Sequence, residues 1–448
     1  MKFFIKTYGC QMNVRDSESV AVLLERHGFE GADNESDADL IIVNSCSVRG
    51  KAEDKAIGKL GILCATKRNN PDRIIGVMGC MVQRLQESLF EKIPALDFAV
   101  GTRRFSRVPA IIDLISSGQK HVLDVGEEDE NFESLSGHPE NSLSAFVNIL
   151  FGCDRRCAYC IVPDVRGREW SRPGERVIAE VKSLAEHGVK EVMLLGQSVM
   201  MYGRRNDVWP TDYVSPHGFV EPFSRLLEAV CAVDGIKRVR FTSSHPSGCS
   251  EELAEAMQQL PKLCAHLHLP VQSGSDRVLK KMRRGYSVSD YREAVQRLRD
   301  ARADLAVTTD VIVGFPSETE AEFEETRAFM EEVGFDNSFI FKYSPRPSTP
   351  AADWDDDVSD EEKMRRNKVL LEDQQARGTR INERLVGKTV EVLVEGPSRR
   401  NAARWAGRSG TNKIVVFDPV EGIKAGDLVM VKIDRAMPQT VYGRVAAA

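Results

Sequence analysis

The chain has 448 residues, 42% of them hydrophobic and 29% charged, with a formal net charge of −6. That length exceeds one ordinary domain and suggests about two to four. The composition is that of a soluble globular protein, no apolar run reaches the roughly 18 residues of a membrane span, and the net negative charge argues against a general nucleic-acid binder.

The opening MKFFIKTYGC is too short and too polar for a secretory signal, so the expected location is the cytosol. From 1 to about 125, FFIKTYG, DLIIVNS and RIIGVMG read as strands, each followed by a helical pattern. That is the βαβ logic of a mostly parallel sheet in an α/β domain. GEEDENFESLSGHPENS, 126–142, is acidic and turn-rich and reads as a linker.

From 143 to 375 the alternation returns, with AFVNILF, EVMLLG, RVRFTSS, AHLHLP, AVTTDVIVG and SFIFKYS as strands. Helical patterns such as RVIAEVKSLAEHG and DYREAVQRLRDAR lie between them. Six β/α units suggest a partial barrel, since a full one takes eight. SPRPSTPAA ends the run, and DWDDDVSDEEK opens a helical stretch to about Arg380.

In the last domain, 376–448, GKTVEVLVEG, NKIVVFD, DLVMVKIDRA and TVYGRV are short strands broken by Gly and Pro, as in a small all-β barrel. From Ala376 onward 13 Lys and Arg stand against 7 Asp and Glu, a net +6 that leaves −12 on the rest. A basic module on an acidic body suggests a local contact with phosphate; random surface charge is the competing reading.

Ten cysteines in a reducing compartment argue for metal or redox chemistry over disulfides. FGCDRRCAYC places Cys153, Cys157 and Cys160 in a C-x3-C-x2-C pattern at the C-terminal end of the first barrel strand, where such folds put active sites. A [4Fe–4S] cube is ordinarily held by four thiolates. With three, one iron is left for the amine and carboxylate of a small molecule such as S-adenosylmethionine, whose carbon–sulfur bond an electron from the cluster then breaks. A zinc site completed by a distant His, or buried structural thiols, are the competing readings.

Cys10, Cys46 and Cys80 each stand at the C-terminal end of a predicted parallel strand, so three thiols far apart in sequence converge on one sheet edge. They are candidates for a second three-thiolate cluster; three unrelated buried cysteines are the alternative. Cys64, Cys231, Cys249 and Cys264 lack this placement and read as structural. His266 and His268 alternate on one strand and share a face lining the barrel.

The stretch around Cys153 resembles the radical S-adenosylmethionine enzymes, with Tyr159 at the position that contacts adenine in that family. The resemblance implies further cofactor contacts from Gly196 and Gln197 in LLGQSV, from Ser243, from Gln272 and Arg283 in VQSGSDRVLKKMRRGY, and from Val313 and Gly314 in DVIVGFPSET. At Gly314 the absence of a Cβ would let backbone approach adenine.

The two triads together are similar to the methylthiotransferase family, over nearly the whole chain. That resemblance implies an auxiliary-cluster domain, a radical S-adenosylmethionine core and a C-terminal TRAM domain that binds RNA. It implies two [4Fe–4S] clusters and S-adenosylmethionine as cofactors, with all six cysteines as cluster ligands and catalytic residues. TYGCQMNVRDSE looks like the tRNA branch of the family, acting on C2 of N6-isopentenyladenosine at position 37 beside the anticodon. VNSCSVRGKAE, CIVPDVRGRE and GQSVMMYG resemble further family motifs, with Ser45, Asp164 and Ser198 at positions where other residues are usual.

The implied partners are a tRNA anticodon stem-loop and an external electron donor of the flavodoxin or ferredoxin kind, with a monomeric chain away from membranes. Candidate RNA contacts are Arg166, Arg168 and Arg172 past the cluster motif, and Arg399, Arg400, Arg404, Arg408 and Lys413 near Trp405, which is placed to stack on a base. Two alternatives stay open. One is a sister enzyme acting on threonylcarbamoyladenosine or a ribosomal aspartate, disfavoured by Gln11-Met12-Asn13; the other is an iron–sulfur RNA-binding regulator without turnover.

Overall fold

A computed structural model describes residues 1–48, 50–126, 137–139 and 142–446. Most of the expected linker, 127–136 with 140 and 141, lies outside the described residues.

The N-terminal domain is one sheet of β1 (Lys2–Tyr8), β2 (Glu30–Gly31), β3 (Leu40–Ser45), β4 (Ile74–Gly79), β5 (Phe98–Val100) and β6 (Val122–Asp124). Their order is β2-β1-β3-β4-β5-β6, with all pairs parallel. Helices α1 (Gln11–Arg26), α2 (Gly50–Thr66), α3 (Cys80–Leu85), α4 (Ser88–Lys92) and α5 (Val108–Ser116) cover it on both faces. Leu40 and Ile42 pack with α1 and α5, whereas Ile41 and Val43 pack with α2 and α3. Burial on both faces is why these strands read as unbroken apolar runs.

The middle region holds β7 (Ser144–Asn148), β8 (Leu150–Phe151), α6 (Val162–Arg166), β9 (Trp170–Ser171), α7 (Gly174–Glu186), β10 (Glu191–Leu195), α8 (Pro222–Cys231) and β11 (Arg238–Phe241). It continues through α9 (Glu251–Gln259), β12 (His266–His268), α10 (Asp276–Lys281), α11 (Val288–Ala301), β13 (Ala306–Val313), α12 (Glu320–Val333), β14 (Asn337–Lys342) and α13 (Asp360–Glu383). Two parallel sheets, β11-β10-β7 and β12-β13-β14, meet at a parallel bridge between Val239 and Leu263. The six expected strands thus run in sequence around a partial barrel. Its interior floor is polar: His266 and His268 both bond Thr308, and Arg240 pairs with Glu191 at 2.8 Å.

The C-terminal domain is a closed barrel of β15 (Thr389–Ser398), β16 (Asn401–Ser409), β17 (Ile414–Phe417), β18 (Leu428–Ala436) and β19 (Thr440–Val445). Val392, Val394, Val415, Phe417, Val431, Ile433 and Val441 fill it. Helix α13 runs through position 376 without a break and packs on β14, where Asn367 donates to the Ile340 carbonyl and Ser338 to Gln374. Position 376 thus lies inside α13. The hairpin joining β16 to β17 sits under the larger barrel, where Arg240 donates to the Ser409 and Gly410 carbonyls and Lys413 pairs with Asp336 at 2.5 Å. Among the described residues no helix is long and apolar enough to cross a membrane.

Candidate active site with two cysteine triads

Tyr8, Ser45 and Gly79 stand side by side in register across β1, β3 and β4. The next turn of each strand carries Cys10, Cys46 and Cys80, so the sheet delivers three thiols to one edge. Gly79 makes the turn with φ +102°, and a Cβ there would meet Asn44 Oδ1 at 2.5 Å and the Ser45 carbonyl at 2.7 Å. Asn44 itself bonds Asn13 and Ser17, tying β3 to the first two turns of α1 behind Cys10.

The thiol of Cys46 is in hydrogen-bonding reach of both Cys10 and Cys80. Its S–H bond, opposed by burial and helped by Arg166, brings Cys10 down to about 6 and Cys80 to about 7. The same two bonds, with burial, push Cys46 upward.

The second triad lies on the loop after β8. Cys153 and Cys157 are buried and Cys160 is half-buried. Burial raises the Cys160 thiol to about 12, against the N–H of Val162. The loop is clamped to the barrel by Ala158 N–H donating to the Met282 carbonyl at 2.9 Å and Cys153 N–H to Gly167 at 3.1 Å.

Three of these six sulfurs accept an N–H hydrogen bond. The Val48 amide donates to Cys46 at 3.3 Å, while the backbone amides of Met12 and Asn13 favour the thiolate of Cys10, that of Arg155 the thiolate of Cys153 and that of Val162 the thiolate of Cys160. Two buried guanidiniums serve the others: Arg166 Nε donates to Cys80 at 3.2 Å, and Arg284 Nη1 to Cys157 at 3.3 Å. Cluster thiolates are anionic acceptors whose surroundings donate hydrogen bonds, so this donor set fits two three-thiolate clusters. Among the described residues no three His, Cys, Asp or Glu side chains surround a point as a single metal ion requires. Cys64, Cys231 and Cys249 lie in apolar clusters, where burial raises them to about 11, 12 and 12.

Around the barrel mouth, buried polar atoms lack a protein partner: Asn148 Oδ1, Gln197 Oε1, Ser198 Oγ, Ser244 Oγ, His245 Nε2 and Arg155 Nε. They lie at or just past the C-terminal ends of β7, β10 and β11 or belong to the cysteine loop. Buried polar groups without partners are rare and call for an explanation; a polar ligand at this end of the barrel supplies one. Gly196 packs beneath this rim against Leu150. Ser243 and Gln272, expected to contact cofactor, both hold positive φ, 64° and 73°, an uncommon backbone state that clusters at functional sites. Val313 is buried at the end of β13.

Several expected contacts sit elsewhere. Arg283 is exposed, with φ 56° in the turn after α10; its neighbour Arg284 points inward, to Cys157, the Tyr159 hydroxyl, Tyr286 and the Pro270 carbonyl. Gly314, with φ +68°, faces the aliphatic part of Lys363, so its missing Cβ makes room for a side chain of this protein. Arg166 is 7% exposed and paired with Asp16 at 2.6 Å, out of reach of RNA. Arg172 is likewise buried, paired with Glu180 at 2.8 Å. Lys413 is spent on Asp336, and Trp405 packs against the small barrel's core. Arg168, Arg399 and Arg400 are exposed; Arg404 pairs with Asp418 and Arg408 with Glu395.

Sequence reasoning missed Arg155, His245 and Arg284. His245 lies in SSHPSG after β11, where burial, then Arg284 and Arg155, bring its ring down to about 2 and keep it neutral. Its position past a barrel strand was the available signal.

Three family models match in order: uncharacterized protein family UPF0004 over 2–101, the Radical SAM superfamily over 147–330 and the TRAM domain over 383–446. The chain is 46% identical over 458 residues to the tRNA-2-methylthio-N(6)-dimethylallyladenosine synthase of Akkermansia muciniphila, covering 99% of this chain and 98% of that one. The enzyme of the same name from Opitutus terrae is 42% identical, covering 99% and 97%. Among solved structures, the radical S-adenosylmethionine methyltransferase TsrM of Kitasatospora setae shares the fold, with TM-score 0.58 at 14% identity, covering 78% of this chain and 75% of that one. On its full-length likeness to these relatives, the chain belongs to the tRNA-2-methylthio-N(6)-dimethylallyladenosine synthase family of radical S-adenosylmethionine proteins.

Proposed function

We propose that the chain is a tRNA methylthiotransferase that adds a methylthio group to C2 of N6-isopentenyladenosine at position 37, using two S-adenosylmethionine molecules and two [4Fe–4S] clusters. The observation that carries this reading is the pair of triads, one gathered at the edge of a parallel sheet and one on a single loop, with N–H groups donating to Cys46, Cys80 and Cys157. Cys153, Cys157 and Cys160 hold the radical cluster, and Cys10, Cys46 and Cys80 the auxiliary one. When bound, these groups supply one-electron cleavage of a carbon–sulfur bond and a place to assemble the methylthio unit.

The need for such chemistry follows from the substrate. An aromatic C–H is not acidic, and general acid–base help of about 10²–10⁴-fold does not reach its barrier. The protein's part is to bind, orient and exclude water. The unpartnered atoms of Gln197, Ser198, Ser244 and His245 receive the polar groups of S-adenosylmethionine. Neutral His245, whose Nδ1 accepts from the Ser247 N–H, presents its Nε2–H as a donor there without adding a cation beside Arg155 and Arg284. Tyr159, edge-on to Phe315 and bonded by Arg284, closes the cysteine loop over the site. Arg168, Arg399 and Arg400 remain free to meet phosphate, and an anticodon loop offers unstacked bases for recognition.

The reading includes a cytoplasmic, monomeric chain served by an external flavodoxin- or ferredoxin-like electron donor. It is tested by mass spectrometry of tRNA nucleosides from cells lacking the protein. Isopentenyladenosine without the methylthio group accumulates, and the intact gene reverses this while Cys10→Ala does not; unchanged nucleosides reject the reading.

A further inference from the structure

Arg166 belongs by sequence to the radical core, six residues after Cys160, yet its side chain lies in the N-terminal domain. Helix α6 carries it there: Ile161 and Val165 pack directly on Cys80, and the Val165 carbonyl accepts from Thr102 at 2.7 Å. Arg103 reaches from the N-terminal domain to the carbonyls of Arg166 and Arg168 at 2.9 and 3.2 Å, fixing the end of the helix. Over the five residues of α6 the helical rise is roughly 7.5 Å, and Cys160 stands two residues before its start, so one short segment joins the protein shells of both triads.

The guanidinium divides its donors. Nε points at Cys80 Sγ at 3.2 Å, and Nη2 at Asp16 Oδ2 at 2.6 Å. Both partners are buried, as is Arg166 itself. A planar fork presents such donors in fixed geometry, which a lysine ammonium does not reproduce. A buried cation bonded to a cluster sulfur favours the more negative, reduced state of the cluster, because hydrogen bonds to sulfur and local charge set its potential. Asp16 works in the opposite direction by neutralising part of that charge.

We propose that Arg166 is a positioning residue for the auxiliary site, which through its bond to Cys80 raises that cluster's reduction potential while Asp16 limits the rise. The inference rests on the reading that Cys10, Cys46 and Cys80 hold a [4Fe–4S] cluster.

The test uses the full chain reconstituted without oxygen, with Cys153→Ala, Cys157→Ala and Cys160→Ala to leave the auxiliary cluster as the sole signal. Reductive titration with dithionite and mediators is followed by electron paramagnetic resonance. Relative to Arg166, Arg166→Gln is expected to lower the reduced-to-oxidised ratio at fixed potential at least tenfold, about 59 mV for one electron. Arg166→Lys lowers it less, and Asp16→Asn raises it. If Arg166→Gln loses its iron, Asp16→Asn decides alone, an upward shift supporting the proposal and no shift overturning it. Ratios within twofold in all variants at full iron content, or a fall in both Arg166→Gln and Asp16→Asn, overturn the proposal. A background chain without its roughly four irons overturns the underlying reading and the proposal together.

Discussion

The two triads reach the same chemistry by different routes. Cys153, Cys157 and Cys160 share one loop of eight residues, so their spacing is written in the chain. Cys10, Cys46 and Cys80 are brought together by the register of three parallel strands. The first site tolerates small shifts in the sheet because its geometry is local. The second depends on tertiary structure, since slipping a strand by one residue turns every side chain to the other face. They also differ in how a buried arginine is balanced. Arg166 has Asp16 as well as Cys80. Arg284 has Cys157, two tyrosine hydroxyls and a carbonyl, and among the described residues no carboxylate pairs with it.

The largest expected effect separates the two sites by function. Cys157→Ala and Cys46→Ala each lose about half of roughly eight irons, and both abolish methylthiolation. Only Cys157→Ala also abolishes release of 5′-deoxyadenosine from S-adenosylmethionine under dithionite. Loss of that release in Cys46→Ala, at retained radical-cluster iron, would make the two triads one cooperative site.

The arginines sharpen the comparison through stability. In iron-free chain, Arg166→Met strands the buried Asp16 carboxylate and is expected to destabilise the protein by about 3–5 kcal/mol, read as a lower midpoint in urea unfolding. Arg284→Met removes a cation that has no carboxylate to strand, and is expected to cost clearly less. After reconstitution the order narrows, because Arg284 then faces anionic sulfur as Arg166 does. Equal losses in the iron-free chains would show that packing, not charge balance, distinguishes the two positions.

These arginines also mark where the sequence is legible and where it is not. The six barrel strands, the three sheet strands ending in cysteine, and four of the five small-barrel strands are visible because apolar runs and turn residues are local signals. β16 is missed: NAARWAGRS is small and basic, and its pairing with β15 and β17 makes it a strand. β2, β5 and β6 are only two or three residues long. The cysteines are legible because thiols are rare and their placement repeats. Arginines are common, and whether one points to solvent or to sulfur depends on tertiary contact alone. That is why Arg166, Arg172 and Lys413 read as phosphate contacts and Arg284 passed unnoticed beside Arg283.

A third buried charge cluster joins the two domains that carry the triads. Glu180 on α7 meets Arg15 of α1 at 3.4 Å, Arg172 at 2.8 Å and His138 at 2.6 Å. Burial opposes its charge, but Arg172, His138 and Arg15 prevail and bring its carboxyl down to about 2. The folded value lies below the unfolded one near 4.5. The stabilisation, about 3 kcal/mol, is therefore complete above pH 4.5 and lost as pH falls toward 2. Thermal melts of iron-free chain are expected to show this loss in the parent and a flatter profile in Glu180→Gln. Parallel profiles would remove Glu180 from the link between the domains.

The smallest effect concerns the basic tail, where two kinds of cation lie close together. Arg399 and Arg400 are exposed at the turn between β15 and β16, whereas Lys413 is held under the larger barrel by Asp336. A phosphate contact releases counterions and contributes roughly 0.7–0.9 to the slope of log K against log salt. Arg399→Ala with Arg400→Ala is therefore expected to flatten that slope for tRNA by about 1.5, with weaker binding at low salt for every tRNA tested. Lys413→Ala leaves the slope in place, because its ammonium is neutralised by a carboxylate of the same chain before RNA arrives. A flattened slope in Lys413→Ala would mean that the small barrel leaves its seat under the larger one when it binds, since only then does that ammonium reach a phosphate.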